Sequence, residues 1–399
     1  GRQQGRNQAG DQHGPGRAGD NLASVGGAFV QRNIADDRAL GIPPSLDFVT
    51  ARTEFYERPS VLPQVERSSI KQDLYRRDFT INTMAICLDR LRYGELLDFY
   101  GGERDLRDRR IRVLHNLSFV EDSTRILRAV RFEQRLGFVI EERTSELIDD
   151  ALELLDHVTG ERLRHELYLL LSEARPEDSL DRLSRMGVLG HIHPSLHYSR
   201  EMAPLFARLR GRFHAWPAAQ VEAGHSARDL VAFGDDEDTE AHAPTLGLCY
   251  LALLCSNMTP AEIQSFSEHL RISRNDSKFL HEVIKLREML NALSAKAMLP
   301  SGIYRLLSPF SRESRFVLSV LTDAEIVLER LDLYEMTLST VTPSIDGHFI
   351  RSLNVPPGPV YGEILERVRD ALLDGQVHTR QEEEELARRL VSMVHTQPR

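Results

Sequence analysis

Residues 121–132 (EDSTRILRAVRF) combine charged and apolar side chains at helical spacing. The charged residues that recur every three positions are Asp122, Arg125, Arg128 and Arg131. The apolar residues spaced to pack inward from a helix are Ile126, Leu127, Val130 and Phe132. Because side chains three and four apart are helix neighbours, one carboxylate and three guanidiniums are predicted to project together from one helix.

Such an array suits the recognition of a nucleotide. A guanidinium donates in a planar fork that matches phosphate oxygens or a base edge, and a carboxylate accepts from the exocyclic amine of cytosine or adenine. The alternative interpretation is a salt-bridge ladder on a solvated helix face.

A second polar segment, residues 76–84 (RRDFTINTM), precedes the first by about forty positions. If it is helical, Asp78 and Asn82 lie four apart on one face and could bracket a ribose. An arginine of the pair Arg76 and Arg77 would then reach a triphosphate. The alternative is an N-terminal helix turn, in which Asp78 is favourable to the helix dipole.

The two segments resemble motifs of class II tRNA nucleotidyltransferases and bacterial poly(A) polymerases. Residues 97–106 (LDFYGGERDL) are similar to that family's flexible element between head and neck, and residues 160–167 (GERLRHEL) to its fifth motif. Residues 45–54 resemble the last strand of the catalytic head. Residues 354–362 (NVPPGPVYG) resemble a tail element of long bacterial members that carry extra N-terminal domains. Four motifs in one order are a specific signal.

The resemblance implies addition of CMP and AMP, or of AMP only, to a tRNA 3′ end, with ATP and CTP as substrates, Mg²⁺ as cofactor and no template. The residues implied to hold ribose and triphosphate are Arg76, Arg77, Asp78 and Asn82. Asp122 and Arg125 would read the base edge. Arg128 and Arg131 would contact phosphate or support ion pairs. Poly(A) polymerase is the alternative activity, because the same motifs serve both.

The carboxylates that hold the metal ions of the family head are mostly missing. Gly26 and Gly27 are not followed by the family's Arg-Asp pair, and Asp36 and Asp37 are adjacent, so on a strand they would face opposite sides. Only Asp47 matches a family carboxylate and is the one candidate catalytic and metal residue; it could equally be a solvent-facing strand-end residue. The sequence therefore predicts an incomplete two-metal site, and leaves a catalytically silent RNA-binding protein as a further alternative.

The predicted fold is α+β: the remnant of a nucleotidyltransferase α/β head, followed by an all-helical neck, body and tail. Strands are expected only before Asn116. The predicted segments are a low-complexity or non-native stretch 1–44, head 45–113, neck and RNA-binding domain 114–215, acidic loop or linker 216–245, body 246–345 and tail 346–399.

Charge and cysteine content bound the function class. The net charge of −10 argues against a general nucleic-acid binder, although fifteen Lys and Arg outnumber eleven Asp and Glu over residues 67–136. That local excess could steer an RNA end, or could be chance clustering. Three cysteines are too few for a disulfide framework or a zinc site. The apolar run at 246–255 is too short to span a bilayer and no signal peptide is visible, so a cytoplasmic protein without membrane contact is expected.

Overall fold

The computed structural model describes residues 28–31, 45–55, 64–213 and 246–396. These residues belong to two compact units. The first unit contains the described residues up to 76, and the second begins at Arg77. Gly26, Gly27, Asp36, Asp37 and most of the predicted acidic linker lie outside the described residues, as does the side chain of Asp47.

The first unit consists of two antiparallel strand pairs and a short helix. Strand β1 (Ala28–Gln31) pairs with β2 (Ser45–Phe48), and β3 (Arg52–Phe55) pairs with β4 (Gln64–Arg67). Asp47 lies on β2 opposite Phe29. Helix α1 (Ile70–Tyr75) begins after Ser69, whose side chain accepts the Gln72 N–H and so satisfies one of the first-turn donors.

The second unit begins with short strands and short helices. The strands of the second unit are β5 (Ala85–Ile86), β6 (Leu96–Leu97), β7 (Arg110–Ile111) and β8 (Val139–Ile140). The helices up to residue 213 are α2 (Gly102–Arg107), α3 (Ser118–Glu121), α4 (Arg125–Leu136), α5 (Glu142–Ala151), α6 (Gly160–Leu171), α7 (Pro176–Arg185), α8 (Val188–Ile192) and α9 (Ala203–Phe213). Short 3₁₀ helices lie at Thr80–Asn82, Leu152–His157 and Arg200–Met202.

Beyond residue 245 the described chain is helical. The helices are α10 (Leu246–Cys255), α11 (Pro260–His269), α12 (Arg274–Glu288), α13 (Leu290–Leu293), α14 (Pro300–Leu307), α15 (Arg312–Leu321), α16 (Glu325–Met336), α17 (Gly347–Ser352), α18 (Val360–Leu373) and α19 (Arg380–Thr396). Helix α10 is apolar all round, and nine of its ten residues are buried, as expected for a helix at the centre of a core.

The α+β class with a helical body is confirmed, but one expectation about strands is wrong. Strand β8 lies after Asn116 and pairs in parallel with β7. Gly137 adopts a left-handed conformation (φ +63°) that ends α4 and turns the chain back. The N–H of Val139 then reaches the carbonyl of Arg109 at 3.0 Å.

Residues 312–336 form two helices, α15 and α16, rather than one. Helix α15 ends at Leu321, and Thr322 is extended. Arg208 of α9 donates to the carbonyls of Val320 (3.0 Å) and Thr322 (3.3 Å), which satisfies acceptors that the broken helix leaves open.

The cysteines agree with the sequence analysis in one respect: Cys87, Cys249 and Cys255 are all free thiols. Cys249 and Cys255 are buried, and burial raises the pKa of both thiols. Cys87 is only half-buried. Among the described residues, no helix combines the length and apolar character that a membrane crossing requires.

Candidate functional site

The polar segment at residues 76–84 is a turn rather than the helix considered above. Phe79 is extended and fully buried, and its backbone forms a bridge with Val113. The 3₁₀ helix Thr80–Asn82 follows at once. This turn still brings the predicted pair together, because Asn82 Nδ2 donates to Asp78 Oδ1 at 2.8 Å. The predicted proximity is thus observed, but its assumed helical geometry is wrong.

Helix α2 packs against this turn. Gly102 approaches so closely that a Cβ atom there would lie 2.3 Å from the carbonyl oxygen of Thr80. Asp105, which is buried, accepts from Thr80 Oγ1 at 2.7 Å and from Arg112 Nε at 3.0 Å. Asp98 caps α2 by accepting the N–H groups of residues 100–103. The element that the resemblance describes as flexible is therefore a capped helix packed against the turn.

Asp122 is not on the same helix as the three arginines, which corrects the single-helix prediction. It follows the short helix α3 and has an extended backbone (φ −146°, ψ 96°), and α4 begins three residues later at Arg125. Its Oδ1 accepts from the backbone N–H of Thr124 at 3.0 Å, which is the hydrogen bond of an Asx turn. The same oxygen accepts from Arg162 Nη2 at 2.7 Å.

Of the three arginines predicted to project together, two are buried. Arg125 is 4% exposed, and its Nη1 donates to Ser118 Oγ at 2.7 Å. Arg131 is 8% exposed, with its Nη2 3.7 Å from Glu166 Oε2. Ion pairs of the kind that the alternative interpretation expects are present, but of these three arginines only Arg128 is partly exposed to solvent.

Arg128 connects the turn to helix α6. Its Nε donates to Asp78 Oδ2 at 2.9 Å, its Nη2 donates to the same oxygen, and its Nη1 donates to Glu166 Oε1 at 3.3 Å. Asp78 and Arg128 are fifty residues apart in the chain, and Arg128 and Glu166 thirty-eight. One guanidinium thus joins three segments that the sequence separates widely.

The charges of this network shift one another's ionisation. Burial acts to raise the pKa of Asp78, but the charge of Arg128 and hydrogen bonds from Asn82, Arg128 and the Phe79 N–H outweigh it, and the pKa lies below its ordinary value. Burial acts to lower the pKa of Arg128, while Asp78 and Glu166 raise it to a net increase. Both groups are therefore ionised at neutral pH, and Asp78 is a fixed anion beside Asn82.

We call these residues the motif cluster: Asp78, Asn82, Asp122, Arg125, Arg128, Arg131, Arg162 and Glu166. Their contacts form two groups. Asp78, Asn82, Arg128, Arg131 and Glu166 are linked to one another, and Asp122 pairs with Arg162, while Arg125 contacts Ser118 of α3. Arg77 lies beside the cluster, exposed, with Nη1 donating to the carbonyl of Asn82 at 3.3 Å.

Two predicted residues belong to the first unit and are described there. Arg76 pairs with Asp73 of α1, with 3.0 Å between Arg76 Nη2 and Asp73 Oδ1. Asp47 lies on β2. Within the part of the chain that the structure describes, no group of three or more His, Cys, Asp or Glu side chains could hold a metal ion.

Arg162, Glu166 and Glu121 were not predicted as site residues. Arg162 and Glu166 lie four apart on α6, inside the segment that resembles a fifth motif, and that motif could have identified them. Glu121 precedes Asp122, and its Oε2 lies 4.0 Å from Arg125 Nη1.

Comparison with known proteins identifies the family of this chain. Residues 23–112 match the family described as poly A polymerase head domain, a match that starts before Ser45, and residues 137–199 match the probable RNA- and SrmB-binding site of polymerase A. The A-adding tRNA nucleotidyltransferase of Halalkalibacterium halodurans is 30% identical over 359 residues, covering 88% of this chain and 75% of the relative. The chain belongs to the tRNA nucleotidyltransferase and poly(A) polymerase family.

Solved structures of this nucleotidyltransferase family are similar throughout most of the chain. A CCA-adding enzyme in apo form II has a TM-score of 0.65 and 34% identity, covering 87% of this chain and 77% of that one. A complex of a CCA-adding enzyme with CTP has a TM-score of 0.62 and 32% identity, covering 82% and 73%.

Some relatives of this chain are much longer. The A-adding tRNA nucleotidyltransferase of Geobacter sulfurreducens is 36% identical over 353 residues, which is 86% of this chain but 38% of the relative. The corresponding enzyme of Aquifex aeolicus is likewise matched over only 33% of its length. This chain thus spans about a third of these two relatives.

Proposed function

We propose that this chain is the nucleotide-selecting part of an enzyme that adds AMP, or CMP and AMP, to the 3′ end of tRNA. ATP and CTP are its substrates, and a tRNA substrate would place it in the cytoplasm. The observation that supports this proposal best is the convergence on Arg128 of Asp78 and Glu166, fifty and thirty-eight residues away. Three family motifs meet at that one side chain.

Asp78 and Asn82 are the proposed ribose site. Asp78 is an anion that can accept from a ribose hydroxyl, and the amide of Asn82 can donate to one. Arg77 is exposed beside them and can contact the triphosphate as a planar fork. For Arg76, in the first unit, we propose triphosphate binding from its place in the motif alone.

Asp122 and Arg125 are the proposed base-reading pair. Asp122 is partly exposed and can accept from the exocyclic amine of adenine or cytosine. Arg125 must exchange part of its contact with Ser118 for a base edge, because it is buried. Arg162 holds Asp122, while Arg128 and Arg131 support the site through Glu166.

Mg²⁺ is the metal we propose, since enzymes of this family use divalent metal ions. In phosphoryl transfer such ions activate the attacking hydroxyl and stabilise the leaving group. The described residues do not fit this requirement, because they include no group of carboxylates and histidines able to hold an ion. Asp47 is the one carboxylate we assign to it, and we derive no catalytic step from this chain.

The test compares this chain with a fusion in which residues 1–76 are replaced by the head of the Halalkalibacterium halodurans relative. Both are incubated with Mg²⁺, labelled ATP or CTP, and tRNA lacking its 3′ end. We expect the fusion to incorporate label and this chain to incorporate none, because one carboxylate cannot hold two ions. Robust incorporation by this chain would contradict the account of its metal site. Absence of incorporation by the fusion, with its fold intact, would contradict the proposed activity.

Two other functions have specific support. The matched head family is named for poly(A) polymerase, and preference of the fusion for an oligo(A) primer over tRNA would favour that activity. The incomplete carboxylate set favours a silent RNA-binding protein, which would bind tRNA without adding nucleotides in either form.

A further inference from the structure

His115 is a polar residue beside the motif cluster to which the proposed function gives no role. It lies in the loop between β7 and α3, and its carbonyl oxygen accepts the Ser118 N–H at 3.2 Å, so its backbone is tied to the first turn of α3. The loop therefore presents the imidazole to the helix that ends at Glu121.

The side chain of Glu121 lies between His115 and Arg125. His115 Nε2 is 3.5 Å from Glu121 Oε2, and Arg125 Nη1 is 4.0 Å from the same oxygen. The side chains of His115 and Arg125 are 16% and 5% exposed, while that of Glu121 is 31% exposed. The carboxylate is thus the most exposed member of the three, and it lies against a ring that is largely enclosed.

The imidazole is neutral at physiological pH. Burial lowers the pKa of His115, the charge of Arg125 lowers it further, and the opposing effect of Glu121 does not restore the ordinary value. When the ring is neutral, Arg125 is the cation that pairs with Glu121. A protonated His115 would be a second cation that competes for the same carboxylate.

We propose that His115 is a positioning residue for base selection: it fixes Glu121, and through Glu121 it sets the orientation of the Arg125 guanidinium. This inference rests on the proposed function of Arg125 in base reading. His115 itself touches no substrate. A guanidinium can discriminate bases only if its fork has a fixed direction, because bidentate hydrogen bonds are strongly directional.

The test measures equilibrium binding of ATP, CTP and GTP to this full chain by calorimetry, and the readout is the ratio of affinities. His115→Phe keeps a flat ring of similar size but removes both ring nitrogens. His115→Gln places an amide Nε2 near the imidazole Nε2 position. We expect His115→Phe to lower the preference for ATP over GTP about three- to tenfold, since one weak contact is lost, and His115→Gln to restore most of it.

His281→Phe is the matched control. His281 is also half-buried, but its ring is hydrogen-bonded to the carbonyl of Ser277 on its own helix, with 2.8 Å between Nδ1 and the oxygen. This variant should leave the preference unchanged. Glu121→Gln, alone and combined with His115→Phe, tests the route: the double variant should be no less selective than Glu121→Gln alone.

The results distinguish the role of His115 from the proposed base-reading function. If the wild-type chain prefers ATP and folded His115→Phe shows the same preference, the role of His115 is overturned and the proposed function stands. Additive losses in the double variant would also overturn it, because His115 would then act independently of Glu121. No preference among nucleotides in the wild-type chain would contradict the base-reading function, and the positioning role with it. If His115→Phe does not fold, the comparison of His115→Gln with Glu121→Gln carries the same decision.

Discussion

The second unit buries arginines in two different ways. In the helical body, Arg330 of α16 is 7% exposed and donates to the carbonyls of Leu293 and Ala295, the latter at 2.8 Å. In the motif cluster, Arg128 is partly exposed and forms salt bridges with two carboxylates from other segments. The first arrangement closes the end of a helix. The second keeps charges of both signs beside solvent.

This contrast distinguishes an arginine that the fold alone explains from one that we propose belongs to a binding site. Backbone carbonyls at a helix end need a donor, and Arg330 supplies it, so no ligand is required to explain its burial. Carboxylates held around Arg128 cost desolvation that a well-packed apolar pair would avoid. We propose that a ligand uses the ionised groups of this network.

Replacing Arg330 should give the largest loss of stability. Arg330→Leu leaves two buried carbonyls without their donor, and we expect the free energy of unfolding to fall by about 3–4 kcal/mol. Chemical denaturation measures this change. Nucleotide affinity ratios should stay the same in the folded fraction, and an altered ratio would break the distinction between the two kinds of arginine.

Arg143→Leu is the control for Arg330→Leu. Arg143 forms an exposed pair with Glu146 at 2.7 Å, and its loss should cost roughly 0–1 kcal/mol. A cost equal to that of Arg330→Leu would mean that burial does not distinguish these residues.

Asp78→Asn should have a smaller effect on stability but should also impair binding. The variant removes the negative charge that accepts hydrogen bonds from two nitrogens of Arg128. We expect the free energy of unfolding to fall by about 2 kcal/mol, because Glu166 still pairs with Arg128. ATP affinity should fall as well, which calorimetry would show. A loss of stability with unchanged ATP affinity would place Asp78 with the structural residues.

The contribution of Asp78 should also depend on pH. Because its folded pKa is below the ordinary value, its stabilising effect is fully present above about pH 4 and is lost as the pH falls through the folded pKa. The free energies of unfolding of wild type and Asp78→Asn should therefore differ at about pH 7, and the difference should shrink as the pH falls below about 4. A constant difference over that range would mean that the ionised carboxylate is not the stabilising group.

The local parts of this site were accessible from the sequence. The apolar residues of α4 were predicted from their spacing, and Ile126, Leu127 and Val130 are indeed buried. The placement of Asp122 on that helix failed because α3 is a separate helix. Asp122 forms an Asx turn with the N–H of Thr124, and the Asp-Ser-Thr sequence before Arg125 was a usable turn signal.

The long-range partners were not accessible in the same way. Arg162 and Glu166 reach Asp122 and Arg128 across about forty residues. Helical periodicity predicts which side of α6 is buried, but it does not specify which other helix that side faces. The pairing depends on how α4 and α6 pack, and therefore appears only in the folded structure.

The most direct test of the central claim is base selectivity in the fusion with a complete head. Asp122→Asn preserves size and an oxygen that can accept from Thr124, but replaces the anionic acceptor. We predict that the ratio of kcat/KM for ATP against GTP falls about tenfold, equivalent to about 1.4 kcal/mol, while the stability changes little. An unchanged ratio in a correctly folded Asp122→Asn fusion that still adds nucleotides would show that the motif cluster is structural and that the base is read elsewhere.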